Sequence, residues 1–333
     1  MADSEGPSDL AAGIRAGERR ALARAITLVE SGRVDHRAAA ASLVAELSDL
    51  GGATDGALRI GLTGTPGVGK SSFIERFGLI LAEQGRRIAV LAVDPSSTRS
   101  GGSILGDKTR MERLARHPQA FIRPSPSGQS LGGVARRTRE TVLLLEVAGF
   151  DTILVETVGV GQSETLVAEM TDIFLLLIAP GGGDELQGVK RGIMEIADFV
   201  VVNKADGALE TLARATRADY QGALGLLRRR AGDPSDVPTA LTASAETGAG
   251  LETIWERIRA LEDWRRHAGV LAERRAAQAV SAFDRALADG ALARLTAHPS
   301  IAAEIAPLRA EIVAGRQMPE AAAVRLLDRL FKR

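Results

Sequence analysis

The 333-residue sequence contains no cysteine, carries no formal net charge and has no long apolar run. Without cysteine there is no disulfide framework, no thiolate metal site and no cysteine nucleophile. The 42 basic and 42 acidic residues cancel, so the electrostatic signature of a general nucleic-acid binder is missing. The longest wholly apolar run, residues 173–179, falls far short of the roughly 20 residues that a transmembrane helix needs. We therefore expect neither a nucleic-acid nor a membrane partner, and a location in the cytoplasm.

Short apolar runs alternate with helix-length segments through the centre of the chain. Six such runs span residues 58–63, 88–93, 152–155, 173–178, 199–202 and 239–242. Strands that are apolar on both faces and joined by helical connections indicate a mostly parallel sheet covered on both sides. The sequence thus predicts a three-layer α/β domain over residues 56–265. We expect an N-terminal helical arm over residues 1–55 and a C-terminal helical arm over residues 266–333.

The strongest motif follows the first apolar run. Residues 64–71 read Gly-Thr-Pro-Gly-Val-Gly-Lys-Ser, a full match to the phosphate-binding loop G-x-x-x-x-G-K-[ST]. In such a loop the backbone N–H groups turn towards the β-phosphate, and the following helix adds the positive end of its dipole. Lys70 would reach the β- and γ-phosphates, and the Ser71 hydroxyl would bind Mg²⁺. The predicted phosphate site comprises Gly64, Thr65, Pro66, Gly67, Val68, Gly69, Lys70, Ser71 and Ser72.

A second motif, Asn203-Lys204-Ala205-Asp206, follows the run at 199–202. An aspartate there accepts two hydrogen bonds from the N1–H and N2–H₂ edge of guanine, whereas adenine has the wrong donor pattern. The stem of Lys204 can lie along the base, and the Ser244-Ala245 pair after the next run would offer a backbone N–H to guanine O6. The residues predicted to hold the guanine base are Asn203, Lys204, Asp206, Ser244, Ala245 and Glu246.

Two acidic residues end strands at the same edge of the predicted sheet. Asp94 follows the run at 88–93, and Glu156 follows the run at 152–155. Both would project at the phosphate end, where a hard cation needs oxygen ligands. Glu156 and Gly159 stand where most GTP hydrolases have Asp-x-x-Gly, whose glycine N–H can hydrogen-bond the γ-phosphate.

Taken in order, five motifs closely resemble the MeaB/ArgK family of P-loop GTPases, the G-protein chaperones of adenosylcobalamin-dependent methylmalonyl-CoA mutase. The motifs are the phosphate loop and residues 93–97, 101–111, 156–164 and 203–206. The resemblance implies that the carboxylates of Asp94, Asp107 and Glu156 surround Mg²⁺, in part through water, which with Ser71 completes the predicted metal site. It also implies that residues 181–190 form the family's third mobile segment, which responds to the mutase. The C-terminal arm would form a homodimer, and the chain itself would bind no cobalamin.

The residue that positions the attacking water is left open. Small regulatory GTPases have a glutamine directly after the D-x-x-G motif; here that position is Val160, and Gln162 comes two residues later. We therefore expect slow intrinsic hydrolysis, with a partner supplying or organising the missing group. Gln162, Lys190 and Arg110 are the candidates within the chain. The predicted catalytic residues are Lys70, Asp107, Glu156, Gln162 and Lys190.

Three other classes of protein could carry a similar phosphate loop and are weighed as alternatives. A nickel- or cobalt-insertion GTPase predicts a histidine tract or a cysteine pair, whereas this chain has four isolated histidines and no cysteine. A kinase or transport ATPase would bind adenine, against the motif at 203–206. A binding module, for this or another B12-dependent acyl-CoA mutase, would hold nucleotide but hardly turn it over, and stimulation of phosphate release by the mutase separates it from a GTPase.

Overall fold

Seven parallel strands form one sheet in the computed structural model, which describes residues 6–48, 56–93, 111–124, 131–157, 163–181, 191–228, 230 and 232–331. The strands are β1 Leu58–Gly64, β2 Ile88–Val93, β3 Ala120–Pro124, β4 Thr152–Thr157, β5 Ile173–Ile178, β6 Phe199–Val202 and β7 Thr239–Thr242. Their order is β3-β2-β4-β1-β5-β6-β7, and every neighbouring pair is parallel. The predicted α/β class is confirmed. The edge strand β3 was not predicted, because Arg123 and Pro124 interrupt its short apolar run.

Helices connect and cover these strands. Within the described residues they are α1 Pro7–Arg15, α2 Arg19–Glu30, α3 Val34–Ser48, α4 Lys70–Glu83, α5 Glu112–Arg116, α6 Leu131–Val147, α7 Ser163–Ala168, α8 Arg191–Ile196, α9 Glu210–Gly225, α10 Leu251–His267, α11 Val270–Ala297, α12 Pro299–Val313 and α13 Pro319–Phe331. A 3₁₀ turn, Gly207–Leu209, precedes α9. None of the helices in this part of the chain has both the length and the apolar character needed to span a membrane.

Each face of the sheet has its own apolar core. On one face the buried side chains of α4 and α10, among them Phe77 and Ile258, pack against the strands. On the other face α6, α7 and α9 contribute buried residues such as Leu145, Val167 and Tyr220. A parallel sheet buried on both faces explains why its strands appear in the sequence as continuous apolar runs.

The N-terminal helices extend the second of these cores. Buried Ile26 of α2 and Leu43 of α3 belong to the same apolar cluster as α6. Glu30 at the end of α2 forms an ion pair with Arg123 of β3. Burial raises the pKa of Glu30, although its hydrogen bond to Arg123 acts in the opposite direction. Residues 6–48 therefore cover the β3 side of the sheet.

An aspartate stands directly before β4, β5 and β6, at the edge of the sheet where the strands begin, which we call the amino edge. Each aspartate accepts a hydrogen bond from a backbone N–H near the beginning of the neighbouring strand. These bonds run from Arg87 to Asp151 at 2.9 Å, from Arg59 to Asp172 at 2.9 Å and from Phe174 to Asp198 at 2.8 Å. The repeated contact aligns neighbouring strands at the amino edge.

The chain divides into two compact units, Met1–Gln278 and Ala279–Arg333. In the first, Arg275 of α11 pairs with Asp172 at 2.6 Å, and Gln278 Nε2 donates to the carbonyl of Thr171 at 2.9 Å. These contacts place the start of α11 in the first unit, although the C-terminal arm is predicted to begin at residue 266. In the second unit α12 and α13 are joined by an ion pair between Glu304 and Arg329 at 3.2 Å.

Candidate nucleotide-binding site

The phosphate loop joins β1 to α4 at the centre of the sheet, where the strands end; we call this side the carboxyl edge. Two positions of the loop require glycine, one because there is no room for a Cβ atom and the other because of its backbone conformation. A Cβ atom on Gly64 would lie 2.3 Å from the carbonyl oxygen of Leu177, and Gly69 has a φ of +89°. Since β1 lies between β4 and β5, the loop opens at the position where open α/β sheets bind their ligands.

Within the loop, the Lys70 side chain turns back over the loop backbone. Its Nζ donates to the carbonyls of Gly64 at 2.7 Å and Thr65 at 3.3 Å. Val68 is buried and anchors the loop, whereas Pro66 and Gly67 are exposed. Of the two serines, Ser71 is half-buried in the first turn of α4 and Ser72 is exposed. A cation and a helix N-terminus thus converge on one short loop, which suits it to bind phosphate groups.

Asn203 and Lys204 connect the second motif to the phosphate loop. Asn203 is buried, and its Nδ2 donates to the carbonyl of Val68 at 2.9 Å. Lys204 has a φ of +58°, and its Nζ donates to the carbonyl of Gly67 at 2.7 Å. Two motifs separated by more than a hundred residues of sequence are therefore fixed against each other by side-chain hydrogen bonds.

Asn203 also contacts the third motif, which contains Ser244 and Ala245. Its Oδ1 accepts a hydrogen bond from the Ala245 N–H at 3.2 Å. That N–H, which is predicted to bind guanine O6, donates to Asn203 in the structure. Ser244 is buried and its Oγ accepts from the Thr247 N–H at 3.0 Å, while Glu246 is exposed. Asn203 thus holds the phosphate loop on one side and the Ser244 turn on the other.

Asp206, the predicted guanine-reading residue, lies half-buried at the start of the 3₁₀ turn. Its carbonyl accepts from the Leu209 N–H at 3.1 Å, and the Ala205 N–H donates to the carbonyl of Ala243 at 2.9 Å. These backbone bonds fix the segment that carries Asp206 without using its carboxylate. A carboxylate at this position is suited to accept hydrogen bonds from the donor edge of guanine.

Glu156 lies within β4, next to the strand that leads into the phosphate loop. It is buried, and its register partners are Leu62 of β1 and Ala92 of β2. Asp94, Asp107, Gln162, Lys190, Arg110, Val160 and Gly159 lie outside the described residues. Within the described part of the chain, no group of three or more histidine and acidic side chains could hold a metal ion. Ser71 and Glu156 are the predicted Mg²⁺ ligands that the structure describes, and their oxygen atoms suit that ion.

One contact near the site was not predicted. Gly181, the first residue of the predicted third segment, donates its N–H to Thr216 Oγ1 at 3.0 Å. Thr216 is buried in α9 and donates in turn to the carbonyl of Leu212 at 2.9 Å. A threonine inside a helix gives no sequence signal of such a role, because its hydroxyl most often bonds within the helix itself.

Known proteins resemble this chain over almost its whole length. The family model for the methylmalonyl-CoA mutase-associated GTPase MeaB matches residues 22–300. A putative GTPase of Caulobacter vibrioides is 53% identical over 312 residues, which cover 94% of this chain and 94% of that protein. The mitochondrial methylmalonic aciduria type A homolog of Mus musculus is 46% identical over 326 residues, 95% of this chain and 77% of that protein. The crystal structure of an LAO/AO transport system kinase aligns over 99% of both chains, with a TM-score of 0.76 and 35% identity.

Proposed function

Because the chain belongs to the MeaB family of methylmalonyl-CoA mutase-associated GTPases, we propose that its GTPase cycle regulates an adenosylcobalamin-dependent methylmalonyl-CoA mutase. The chain is a P-loop GTPase. In this proposal the nucleotide state gates loading of the cofactor and protects or reactivates the mutase, while the chain itself carries no cobalamin. The family description names the mutase, and the mouse relative's name refers to methylmalonic aciduria. We further propose that the protein acts in the cytoplasm.

The observation that carries the nucleotide chemistry is the bonding of Asn203 and Lys204 to the phosphate loop. It brings a loop suited to phosphates and an aspartate suited to guanine to one edge of the sheet. In the proposed complex the backbone N–H groups of residues 67–71 bind the β-phosphate, and Lys70 moves from its own loop carbonyls to the β- and γ-phosphates. Asp206 accepts hydrogen bonds from the guanine N1–H and N2–H₂.

Ser71 and Glu156 would hold Mg²⁺ together with Asp94 and Asp107, in part through water. When bound, the ion neutralises the charge that develops on the β- and γ-phosphate oxygens. The chain's own contribution is then to hold the triphosphate in line with the attacking water. Removal of Mg²⁺ with a chelator should therefore abolish turnover, while the thermal unfolding temperature of the nucleotide-free protein stays unchanged.

Intrinsic hydrolysis should be slow, because Val160 replaces the water-positioning glutamine of small regulatory GTPases. Gln162, Lys190, Arg110 and a group from the partner are the candidates for that role. Phosphate release by the purified chain should stay far below about 10 s⁻¹, the rate of an activated GTPase, and should rise when the mutase is added. A fast isolated enzyme that does not respond to the mutase would contradict the proposal.

Binding offers a second test of the partner. If the nucleotide state and the mutase are coupled, the mutase should change the affinity for a GTP analogue by about 5- to 150-fold. By thermodynamic reciprocity, the GTP analogue must change the affinity for the mutase by the same factor. Titrations in both orders should close this cycle, and equal affinities in all nucleotide states would exclude the chaperone role while leaving the GTPase activity intact.

The C-terminal helices support the proposed homodimer. Val280, Phe283 and Leu287 recur at helical spacing on α11 and are each about three-fifths exposed, at 61%, 64% and 59%. Such an apolar stripe is typical of a helix that packs against another protein surface. Analytical ultracentrifugation should show a dimer that Phe283→Asp converts to a monomer, whereas Glu273→Asp on the same helix should not; a wild-type monomer at micromolar concentration would contradict this assignment.

A further inference from the structure

The guanidinium of Arg265, near the end of α10, is buried at the amino edge of the sheet with 1% of its side chain exposed. Its Nη2 donates to Asp198 Oδ1 at 2.6 Å and to Asp233 Oδ2 at 2.9 Å, and its Nε donates to Asp233 Oδ1 at 2.9 Å. The Nη1 donates to the carbonyl of Asp172 at 2.8 Å. A buried arginine with this many contacts holds several elements at once.

The carboxylate that Arg265 binds is itself fully buried. The other oxygen of Asp198 accepts from the Phe174 N–H at 2.8 Å, and Arg230 approaches the carboxylate at 3.0 Å. Burial alone would raise the pKa of Asp198, but the positive charges of Arg265 and Arg230 outweigh it and hold the pKa below its ordinary value. Asp198 is therefore ionised in the folded protein, and its position depends on these arginines.

Arg265 and Asp198 lie in two segments, residues 244–267 and 198–203, whose other ends carry residues of the predicted guanine site. Asp198 directly precedes β6, a strand of four residues, and Asn203 directly follows it. At about 3.3 Å per residue, Asp198 and Asn203 are roughly 16 Å apart. Helix α10 begins at Leu251, immediately after the turn that contains Ser244 and Ala245, and Arg265 lies near its other end.

The two segments that contain β6 and α10 are thus joined at both ends. At the carboxyl edge Asn203 Oδ1 accepts from the Ala245 N–H at 3.2 Å, and at the amino edge Asp198 accepts from Arg265 at 2.6 Å. We propose that Arg265 is a positioning residue for guanine recognition, which sets the distance between β6 and α10 and thereby places Asp206 against the Ser244 turn. This inference rests on the proposed role of Asp206 in reading the base.

Arg275 provides a matched control from the same network. It binds Asp172 through two hydrogen bonds, from Nε at 2.9 Å and from Nη2 at 2.6 Å, and Asp172 is as buried as Asp198. Asp172 precedes β5, whose carboxyl end leads to Gly181 and not to the guanine-reading residues. Loss of either arginine leaves a buried carboxylate, so both variants should lose stability. Only loss of Arg265 should disturb base recognition.

The experiment compares Arg265→Met with Arg275→Met, with Arg265→Lys as the conservative variant. The affinity for GDP is measured against that for inosine diphosphate, which lacks the amino group that Asp206 would bind. The GDP-to-IDP preference should fall about tenfold in Arg265→Met, the scale of one hydrogen bond to a charged group. It should stay within twofold of wild type in Arg275→Met and recover in part in Arg265→Lys. A simple loss of folded protein lowers both affinities together and leaves their ratio unchanged.

Amide hydrogen exchange of the nucleotide-free protein gives a readout that does not depend on the proposed function. Peptides covering Asn203–Asp206 and Ser244–Ala249 should exchange faster in Arg265→Met and not in Arg275→Met. Equal ratios and equal exchange in both variants would overturn the inference. Equal affinity of the wild type for GDP and ADP would instead contradict the assigned base-reading residues, and the exchange result would still decide the role of Arg265. If Arg265→Met does not fold, Asp233→Ala removes two of the same hydrogen bonds and takes its place in both measurements.

Discussion

The two edges of the parallel sheet are held by different kinds of contact. At the amino edge, the buried carboxylates of Asp172 and Asp198 bind arginines and neighbouring backbone N–H groups. At the carboxyl edge, the phosphate loop is held by Asn203 and Lys204, whose side chains donate to its backbone carbonyls. Buried ion pairs fix strands in place, whereas the hydrogen bond from Lys204 to the exposed Gly67 carbonyl can be exchanged for a contact to a ligand. Removal of one partner of a buried ion pair at the amino edge should therefore cost stability, and Arg265 should affect base recognition as well. Substitutions of the phosphate-loop and base-reading residues at the carboxyl edge should mainly change binding and turnover.

The largest expected effect is at the guanine-reading position. Asp206→Asn should lower the affinity for GTP by a factor on the order of 10⁴, because a site built to bind the guanine edge is left with unpaired polar groups. The variant should gain affinity for xanthosine nucleotides, since an amide can donate to the O2 atom of xanthine. Asp219→Asn, an exposed aspartate on α9, is the control and should behave like wild type. An unchanged preference for GTP would show that another residue reads the base.

The next largest effect tests the amino edge. Asp172→Ala should lower the free energy of unfolding by about 3–5 kcal/mol, since it leaves Arg275 without its buried partner. The preference for GTP over ATP should not change. Asp151→Ala removes the equivalent aspartate before β4, whose side chain is 38% exposed and pairs with Arg86 at 3.5 Å. That variant should lose only about 1 kcal/mol. Equal losses in urea unfolding would show that burial does not decide the strength of these contacts.

Lys70→Ala, unlike Asp172→Ala, should lower turnover without lowering stability. Phosphate release should fall by about 10²–10³, the scale on which one preorganised charge-stabilising group contributes. The thermal unfolding temperature should stay within a degree or two of wild type, because the Lys70 side chain donates to carbonyls of its own half-exposed loop. Glu83→Ala, at the exposed end of the same helix, provides the control. A marked loss of stability in Lys70→Ala would contradict the expectation that this residue acts on turnover and not on folding.

The smallest effect concerns a fixed contact at the carboxyl edge. Thr216→Val removes the acceptor of the Gly181 N–H but keeps the side-chain volume, so it should cost about 1 kcal/mol of stability. Thr211→Val, on the exposed face of the same helix, should be close to neutral, and Thr216→Ser should keep most of the contact. Urea unfolding of the three variants measures the difference. A neutral Thr216→Val would mean that the Gly181 bond adds nothing to the folded state.

The sequence predicts most of the fold because a doubly covered parallel sheet leaves a simple pattern. Six strands appear as short, mainly apolar runs, and the phosphate loop follows the first of them. Strand β3 is missed because only part of it faces a core, and it contains Arg123 and Pro124. The phosphate loop and the motif at 203–206 can be recognised because their chemistry needs particular residues at particular spacings.

The contacts between distant segments could not be predicted in the same way. Nothing in the sequence says that Asn203 binds both Val68 and Ala245, since these pairings depend on the order of the strands in the sheet. The amino-edge network did leave a signal, because Asp151, Asp172 and Asp198 each directly precede an apolar run. An aspartate before a strand is also a common turn residue, so its partner becomes evident only in the structure.

The most direct test of the account is the titration of the purified, magnesium-supplemented protein with GDP and with ADP by calorimetry. We predict that GDP binds one site per chain and that ADP binds at least about a hundredfold more weakly, because adenine leaves the Asp206 carboxylate unpaired. Equal affinities for the two nucleotides would contradict the central claim that the carboxyl edge of this sheet is a guanine-nucleotide site.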